Sequence, residues 1–286
     1  MERHEFRYTY HDGQRFAFFL ASDLHADDPD CDLALLRAEL EEAKAEGARI
    51  LLNGDIMSLI LPRDLKRYTR GNDKDRNGAA RDDKINEAVE TAEGILAPYV
   101  DLIDMIGCGN HETAVLKHHS TDATKLLVGF LNRRRAKGIA PIRHGGYTGY
   151  IRLVFAERDG GHAQAYDIYY NHGTSGGGEV TDSAIELQRL STTRAVDLVW
   201  LGHSHKKESK ELAALQGLDQ RGQFYERKRR GVVTGTYLRN MVETDASRDG
   251  YRLSFREERM RAPQGQGGAM LRITARRDGL RAKVEA

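Results

Sequence analysis

The sequence predicts an α/β fold in which two packed mixed β-sheets are flanked by helices. Three observations lead to this prediction. Short apolar runs that turn abruptly polar alternate with segments of helical spacing in the first half of the 286-residue chain. Two segments in the middle of the chain alternate between apolar and polar residues, as the strands of a second sheet do. The last quarter of the chain adds short strand patterns separated by loops.

The first half of the chain contains three predicted strands and two predicted helices. The strands are RFAFFLASDLH (15–25), ARILLNGD (48–55) and DLIDMIGCGN (101–110). The helices are DLALLRAELEEAKAEG (32–47) and DKINEAVETAEGILAPYV (83–100). Gly47 should end the first helix, and Pro98 should disturb the end of the second. Residues 62–81 carry many charges and are predicted to form a long exposed loop.

The second half adds a hairpin, two helices and another buried strand. Residues 121–137 and 182–195 have the apolar spacing of helices. The predicted hairpin joins YTGYIRLVFAE (147–157) to AQAYDIYYNHG (163–173) through the turn RDGG. VDLVWLGHSH (196–205) is a buried strand that again ends in polar residues. Short strands are predicted for RRGVVTGTYL (229–238), YRLSF (251–255) and the segment from residue 269 onwards.

Composition and length exclude several classes of protein. The chain has no run of about 18 apolar residues, so we expect no membrane span. Its start, MERHEFRYTYHDGQRF, lacks the apolar stretch of a signal peptide. Cys31 and Cys108 are too few for a disulfide framework, so we expect structural thiols in a cytoplasmic protein. The length suits one domain over residues 1–286, with a motif core at about 15–210 and closing strands over 211–286.

Five apolar segments end in side chains of the types that bind metal ions. The residues are Asp23 and His25, Asp55, Asn110 and His111, His172, and His203 and His205. A single histidine in a loop is more often a surface residue than a ligand. Five independent strand ends that all finish in oxygen or imidazole donors are what a metal site at the edge of a sheet requires.

The motifs read, in order, DLH (23–25), GD (54–55), GNHE (109–112), NHG (171–173) and GHSH (202–205). This series resembles the calcineurin-like metallophosphoesterase superfamily, which is marked by D-x-H, G-D, G-N-H-D/E, a single His and G-H-x-H. Uncharacterised phage and prophage members show a weaker resemblance, around NHGTSGGG and DLVWLGHSH. The resemblance implies a four-layer αββα sandwich with a metal site on the carboxyl ends of the strands.

The resemblance also implies two divalent metal ions. Asp23, His25 and His205 would hold the first ion, Asn110, His172 and His203 would hold the second, and Asp55 would bridge them. Two carboxylates remove two of the four positive charges, so the site keeps a positive charge that attracts a phosphate. A hydroxide held by the ions would be the nucleophile. Nitrogen and oxygen ligands together suit manganese first, with iron or zinc as alternatives.

His111 follows the implied ligand Asn110 and would point at the phosphate rather than at the metals. It would protonate the leaving oxygen or stabilise charge in the transition state, unless it only orients a ligand. Glu112 is expected to cap the helix that follows.

One departure from the family pattern concerns the residues after GD. In the protein-phosphatase branch, a second Asp follows and pairs with the catalytic His, whereas this chain has Ser58 there. The phosphodiesterase and nuclease-type branch lacks that Asp, so we expect hydrolysis of a phosphodiester, nucleic acid included. The alternatives are a phosphomonoesterase on nucleotides or small phosphates, and a catalytically silent binding or scaffold module.

Candidate substrate contacts are basic residues, interleaved at one place with an aromatic ring. Arg67 and Tyr68 lie in the long loop, and Lys206 and Lys207 directly follow His205. Tyr68 could stack on a base if the substrate is DNA or RNA. Further candidates are Arg63, Lys66, Arg70 and the runs 133–135 and 227–230. A solvated charged surface is the alternative for each of these clusters.

Overall fold

A computed structural model describes residues 2–61, 83–158, 160–174, 182–241, 263 and 265–286. Within these ranges lie two six-stranded β-sheets and five α-helices. Helices cover the outer faces of both sheets, and a shared core fills the space between the sheets. The predicted four-layer αββα sandwich is confirmed.

The first sheet has the order β12-β11-β2-β3-β4-β5. Its strands are β2 (Gln14–Ala21), β3 (Arg49–Leu52), β4 (Ile103–Ile106), β5 (Arg143–His144), β11 (Ala269–Arg276) and β12 (Gly279–Glu285). Strands β2 to β5 run parallel, whereas β11 and β12 are antiparallel additions at one side. The carboxyl ends of β2, β3 and β4 therefore lie at the same edge.

The second sheet has the order β1-β6-β7-β8-β10-β9. Its strands are β1 (Glu2–Tyr10), β6 (Thr148–Glu157), β7 (Gln164–Asn171), β8 (Leu198–Leu201), β9 (Glu208–Leu218) and β10 (Phe224–Val233). Strands β6 and β7 form the predicted antiparallel pair, and β7, β8 and β10 run parallel. The polar segment 2–10, to which the sequence analysis gave no strand, pairs in parallel with β6.

The helices are α1 (Leu33–Glu46), α2 (Lys84–Leu96), α3 (Asn110–His119), α4 (Ala123–Arg134) and α5 (Asp182–Thr193). Gly47 ends α1 in the left-handed conformation, with φ +68°, as the sequence predicted. Pro98 lies at the start of a 3-10 turn that replaces the last turn of the predicted helix. None of the helices in the described ranges combines the length and apolarity that crossing a bilayer needs.

The parallel strands of the first sheet are apolar on both faces, because both faces are covered. Phe18 and Leu20 point into the core between the sheets, while Phe19 and Ala21 point at the helices. Trp200, on β8, faces Phe18 and Leu20 from the second sheet within the same core. Burial of both faces explains why these strands read as continuous apolar runs.

The closing strands differ from the predicted short ones. Strands β9 and β10 form a hairpin of 11 and 10 residues that reaches well before residue 229. The predicted strand 251–255 lies outside the described residues.

The basic run 227–230 has mainly structural partners. Arg227 makes a two-pronged ion pair with Asp197, at 2.5 Å for Nε to Oδ1 and for Nη2 to Oδ2. The Arg229 side chain is buried, and its guanidinium donates to the carbonyl oxygens of Ala213, Ser191 and Arg194. It ties the β9–β10 hairpin to the end of α5.

Arg229→Ala should therefore lower the free energy of unfolding by about 2–4 kcal/mol, because buried carbonyl groups lose a charged donor. Urea unfolding followed by circular dichroism measures this change. Lys228→Ala, at the exposed neighbouring position, is the matched control and should change stability by no more than about 0.5 kcal/mol. Equal stability of the two variants would contradict the structural role of Arg229.

Candidate metal centre

Five strand ends meet at one edge of the sandwich, where the two sheets are joined by hydrogen bonds. The Asn53 side chain, after β3, donates to the carbonyl oxygen of Asn171 at the end of β7, at 3.0 Å. His172 Nδ1 lies 2.7 Å from the carbonyl oxygen of Asn53. The His203 amide donates to Asp23 Oδ2 at 2.9 Å. These bonds link the segments that carry the DLH, GD, NHG and GHSH motifs.

Five of the seven predicted ligand residues have left-handed backbone conformations. The φ angles are 54° at Asp23, 49° at His25, 48° at Asp55, 66° at His203 and 56° at His205. Such angles are unfavourable for residues with a Cβ and persist only where the surroundings enforce them. They turn the chain sharply after each strand, so that two donors from one short loop can face the same point.

Two glycines allow these loops to approach one another. Gly54 has φ +80°, and a Cβ there would lie 2.6 Å from the amide nitrogen of Gly109 and 2.7 Å from His172 Nδ1. A Cβ on Gly109 would lie 2.1 Å from Asp55 Oδ1. A larger residue at either glycine of the GD and GNHE motifs would clash with the neighbouring loop.

The first group of candidate ligands is Asp23, His25 and His205. His205 Nε2 lies 3.2 Å from Asp23 Oδ1 and 3.4 Å from His25 Nε2. Donors that each lie about 2.1 Å from a common ion at tetrahedral or octahedral angles are about 3.0–3.4 Å apart. The separations therefore fit one metal ion.

A second group consists of Asp55, His172 and His203. His172 Nε2 lies 3.1 Å from Asp55 Oδ2 and 4.0 Å from Asp23 Oδ1. Asn110, the first residue of α3, belongs to the same motif cluster and has a buried Oδ1. A further group of candidate ligands consists of His25, Asp55 and His111, and it shares His25 with the first group and Asp55 with the second.

Three buried donor atoms fit a metal ion better than they fit the protein alone. Asp23 Oδ1, Asn110 Oδ1 and His172 Nε2 make no hydrogen bond of suitable geometry within the described part of the chain. Buried polar atoms are nearly always hydrogen-bonded, because leaving one unsatisfied costs about 1–3 kcal/mol. An ion bound among these atoms would remove that cost.

The electrostatics of the metal-free site also favour a cation. Burial disfavours a charged His172, but Asp55 and Asp23 outweigh burial and raise its pKa to about 10. Burial and the charge of Asp55 raise the pKa of Glu112 to about 8. Burial alone would raise the pKa of Asp55, yet His172 and His111 hold it well below its ordinary value. The negative charges of Asp23 and Asp55 thus favour a positive charge next to them, which a bound cation would supply.

His25 differs from His172. Burial and the neighbouring His111 ring lower its pKa to about 3, so its ring is neutral at physiological pH. A neutral imidazole is the form that binds a metal ion.

Several residues that hold the donor loops were not singled out by the sequence analysis. Ser22 Oγ donates to Asp23 Oδ2 and lies 2.6 Å from Thr234 Oγ1. Thr236 Oγ1 and the Tyr237 amide both donate to the carbonyl oxygen of Asp23, at 3.1 Å. The segment after β10 thus supports the loop after β2. The sequence gives no local signal of this support, because the partners lie more than 200 residues apart.

Glu112 caps α3, as predicted, and also links two motifs. Its carboxylate accepts from the amides of Gly109 at 2.8 Å and of Asp55 and Met57 at 3.1 Å each. The loops after β3 and β4 are thereby fixed relative to each other.

His111 lies beside Asp55. Its amide donates to Asp55 Oδ1 at 3.0 Å, and its Nε2 lies 3.9 Å from Asp55 Oδ2. Its Nδ1 is hydrogen-bonded to the carbonyl oxygen of Ser58, the residue that replaces the second Asp of the protein-phosphatase branch.

The predicted substrate contacts fall in different places. Lys206 and Lys207 leave the site directly after His205, both half-buried, and Lys207 Nζ lies 3.7 Å from Glu39 Oε1. Arg67 and Tyr68, with the rest of the basic loop 63–70, lie outside the described residues.

Two basic runs lie at the other end of the sheets. Arg230 pairs with Leu198, the first residue of β8, whereas the candidate ligands follow its last residue. Arg135 donates to the carbonyl oxygen of Ile103, the first residue of β4. These two contacts lie at the amino ends of β8 and β4, whereas the candidate ligands follow the carboxyl ends.

No family model and no curated protein matches the chain. Solved structures do match it. A phosphoesterase-like protein of unknown function from Streptococcus pneumoniae, described as a predicted phosphoesterase, is 11% identical with a TM-score of 0.32, covering 95% of this chain and 99% of that one. A metallophosphoesterase from Sphaerobacter thermophilus is 14% identical with a TM-score of 0.38, covering 96% and 89%.

Vps29 of Entamoeba histolytica in complex with zinc is 12% identical with a TM-score of 0.34, covering 94% of this chain and 98% of that one. All these TM-scores are below 0.5, so the matches carry no argument about activity, ligands or partners. Arguments about activity and ligands rest on the side chains of this protein itself.

Metal binding should release protons near neutral pH. His172, with a pKa of about 10, must lose its proton to become a ligand. The charge of Asp55 helps to raise the pKa of Glu112 to about 8, and a bound cation would offset that charge, so Glu112 should lose its proton as well. We expect about one to two protons released per protein at pH 7, and an affinity for Mn²⁺ that rises as the pH is raised from 6 to 9. Titration calorimetry in two buffers of different ionisation enthalpy measures this release. A release near zero, with an affinity independent of pH, would contradict the assignment of His172.

Proposed function

We propose that the protein is a phosphoester hydrolase that uses two divalent metal ions. Asp23, His25 and His205 bind one ion, Asn110, His172 and His203 bind the other, and Asp55 lies between them. The observation that carries this proposal is the set of donor atoms from five strand ends at ligand-like separations. Within the residues that the structure describes, three of these atoms are buried without a hydrogen-bond partner.

The charge of the site suits an anionic substrate. Two divalent ions bring four positive charges, of which Asp23 and Asp55 balance two. The ions would supply Lewis acidity and lower the pKa of a bound water. The histidines and Asn110 add no negative charge, so a phosphate is attracted rather than repelled. We propose manganese as the resident metal, with iron and zinc as alternatives, because nitrogen and oxygen donors are mixed.

His111 is proposed to act on the leaving group. Its Nδ1 is engaged with the carbonyl oxygen of Ser58, and this directs Nε2 towards the space beside Asp55. A ring held in this way can exchange a proton at Nε2 with a leaving oxygen. Such help is typically worth about 10²–10⁴-fold in rate.

We propose a phosphodiester as the substrate, nucleic acid included. Support comes from Ser58 in place of a second carboxylate beside His111, and from Lys206 at the rim of the site. The positions of the runs 133–135 and 227–230 give no support to a nucleic-acid path. The alternatives remain a phosphomonoesterase and a silent binding module. A cytoplasmic location, which suits cysteines in the thiol form, is part of the proposal.

Asp55→Asn should reduce the bound metal and abolish hydrolysis while leaving the fold largely intact. The amide removes the bridging charge but keeps the size of the side chain. Elemental analysis of the purified variant gives the metal content, and circular dichroism gives the fold. Two fully occupied sites in this variant would show that Asp55 does not bridge the ions. A parent protein that binds metal but hydrolyses no phosphoester would favour the silent module.

His111→Ala should retain both metal ions and lose turnover by about 10²–10⁴-fold. The loss should be largest for substrates with poor leaving groups, since those need protonation. A series of aryl phosphodiesters with leaving groups of increasing pKa measures this trend. A uniform loss across the series would indicate charge stabilisation instead, and loss of a metal would make His111 a ligand.

The manganese-loaded protein should cleave a model aryl diester with higher kcat/KM than the matching monoester. It should also cleave single-stranded DNA. Replacing Lys66, Arg67 and Arg70 by Ala should weaken DNA binding and flatten its salt dependence, because fewer counterions are released. A preference for the monoester, together with unchanged DNA binding in the variant, would establish the phosphomonoesterase alternative.

A further inference from the structure

Ser58 is a buried residue on which four neighbours of the metal centre converge. Its side chain and backbone are 3% exposed. Its hydroxyl contacts His25 Nδ1 at 2.9 Å and Asp28 Oδ2 at 3.1 Å. Its carbonyl oxygen contacts His111 Nδ1, and its amide donates to Asp27 Oδ1 at 2.5 Å. One residue thus touches a predicted ligand, the predicted catalytic histidine and two carboxylates.

The direction of the hydrogen bonds at the hydroxyl determines the tautomer of His25. A carboxylate only accepts, so the single hydroxyl proton of Ser58 is donated to Asp28. The hydroxyl oxygen must then accept from His25, which places the ring proton on Nδ1. Nε2 is left with its lone pair, 3.4 Å from His205 Nε2 and facing the first metal position. This is the tautomer that a ligand requires.

The carbonyl oxygen of Ser58 determines the tautomer of His111 in the same way. A carbonyl group only accepts, so the neutral His111 ring carries its proton on Nδ1. Its Nε2 then faces the space next to Asp55.

Asp27 fixes the turn that aims this carbonyl group. Its two carboxylate oxygens accept from consecutive amides, those of Ser58 at 2.5 Å and of Leu59 at 3.0 Å. Leu59 has φ 47°, an unfavourable conformation for a leucine. A carboxylate can hold both amides at once, whereas a carboxamide has one oxygen to accept with.

We propose that Asp27 and Asp28 are positioning residues, which act through Ser58 to set the ring tautomers of His111 and His25. The roles of the two histidines rest on the proposed function, but their tautomers do not. In this chain, two carboxylates and a serine take over the orientation that a single second Asp gives in the protein-phosphatase branch.

The effect of Asp28 on His25 can be separated from the effect of Asp27 on His111 by substitution. Asp28 Oδ1 accepts from the amide of Asp30 at 2.9 Å, so in Asp28→Asn the amide group should face Ser58. It would donate to the Ser58 hydroxyl, so that Asp28 no longer takes up the hydroxyl proton. The hydroxyl would then donate to His25 Nδ1, and the ring proton would move to Nε2. Ser58→Ala removes the bond and leaves the His25 tautomer unfixed. In both variants the carbonyl bond to His111 stays. Asp27→Asn should instead disturb His111.

The ring tautomers are read directly from ¹⁵N NMR of the metal-free protein with labelled histidine side chains at pH 8. We expect Nδ1–H for His25 and His111 in the parent. His25 should change to Nε2–H in Asp28→Asn and to a mixture in Ser58→Ala, with His111 unchanged. Asp27→Asn should give a mixture at His111 and leave His25 as in the parent.

Metal binding gives a second readout. In a His203→Ala background, which weakens the second position, Asp28→Asn and Ser58→Ala should lower the Mn²⁺ affinity of the first position by about 10–100-fold. Asp32→Ala is the control, because Asp32 caps α1 and should affect stability only.

Unchanged tautomers in all three variants, with affinities within about twofold of the parent, would overturn the proposal and leave Asp27 and Asp28 as structural residues. Loss of stability without a change of tautomer would do the same. A protein with the expected tautomers and affinities but no hydrolytic activity would refute the proposed function alone.

Discussion

The burial of two carboxylates at the meeting point of the two sheets is the constraint on which the rest of the site depends. Asp23 and Asp55 are almost fully buried, and an uncompensated buried charge costs several kcal/mol. Backbone amides of His203 and His111 compensate part of that charge. The remaining oxygens face histidines and one another, and a protonated His172 balances them in the metal-free protein. A divalent ion is the natural replacement for that proton.

The loops around these carboxylates are held in conformations that no single loop would adopt alone. Left-handed backbone at Asp23 is supported by the segment after β10, and left-handed backbone at Asp55 is supported by Glu112. These conformations place donors from different strands within 4.8 Å of one another.

The same supports connect the metal centre with residues that do not touch it. Ser22 donates to Asp23 Oδ2 and also contacts the Thr234 hydroxyl. Trp200, which lies in the core between the sheets, donates to that hydroxyl with a distance of 3.2 Å. Substitutions in that core can therefore alter metal affinity. The basic runs, in contrast, stabilise the far end of the sheets, where Arg229 holds α5 and Arg135 holds the start of β4.

The sequence by itself determined the strands that end at the site, the donors at each end and several helix limits. These features are local. Apolar runs predict buried strands, Gly47 ends a helix because it adopts φ +68°, and Pro98 lacks the amide that an α-helix needs. The residue patterns predicted two packed sheets flanked by helices, and the resemblance carried by the five motifs implied the four layers.

Only the tertiary structure decided which donors face one another and what holds them. Asp27 and Ser58 are 31 residues apart, and Ser22 and Thr234 are 212 residues apart, so no local pattern reveals their contacts. The polar segment 2–10 became a strand because β6 offered an open edge, and the basic run 227–230 became structural because Asp197 and buried carbonyl groups lie beside it. The sequence does not distinguish a charged side chain that faces solvent from one that binds a partner. The packing of distant segments decides between the two.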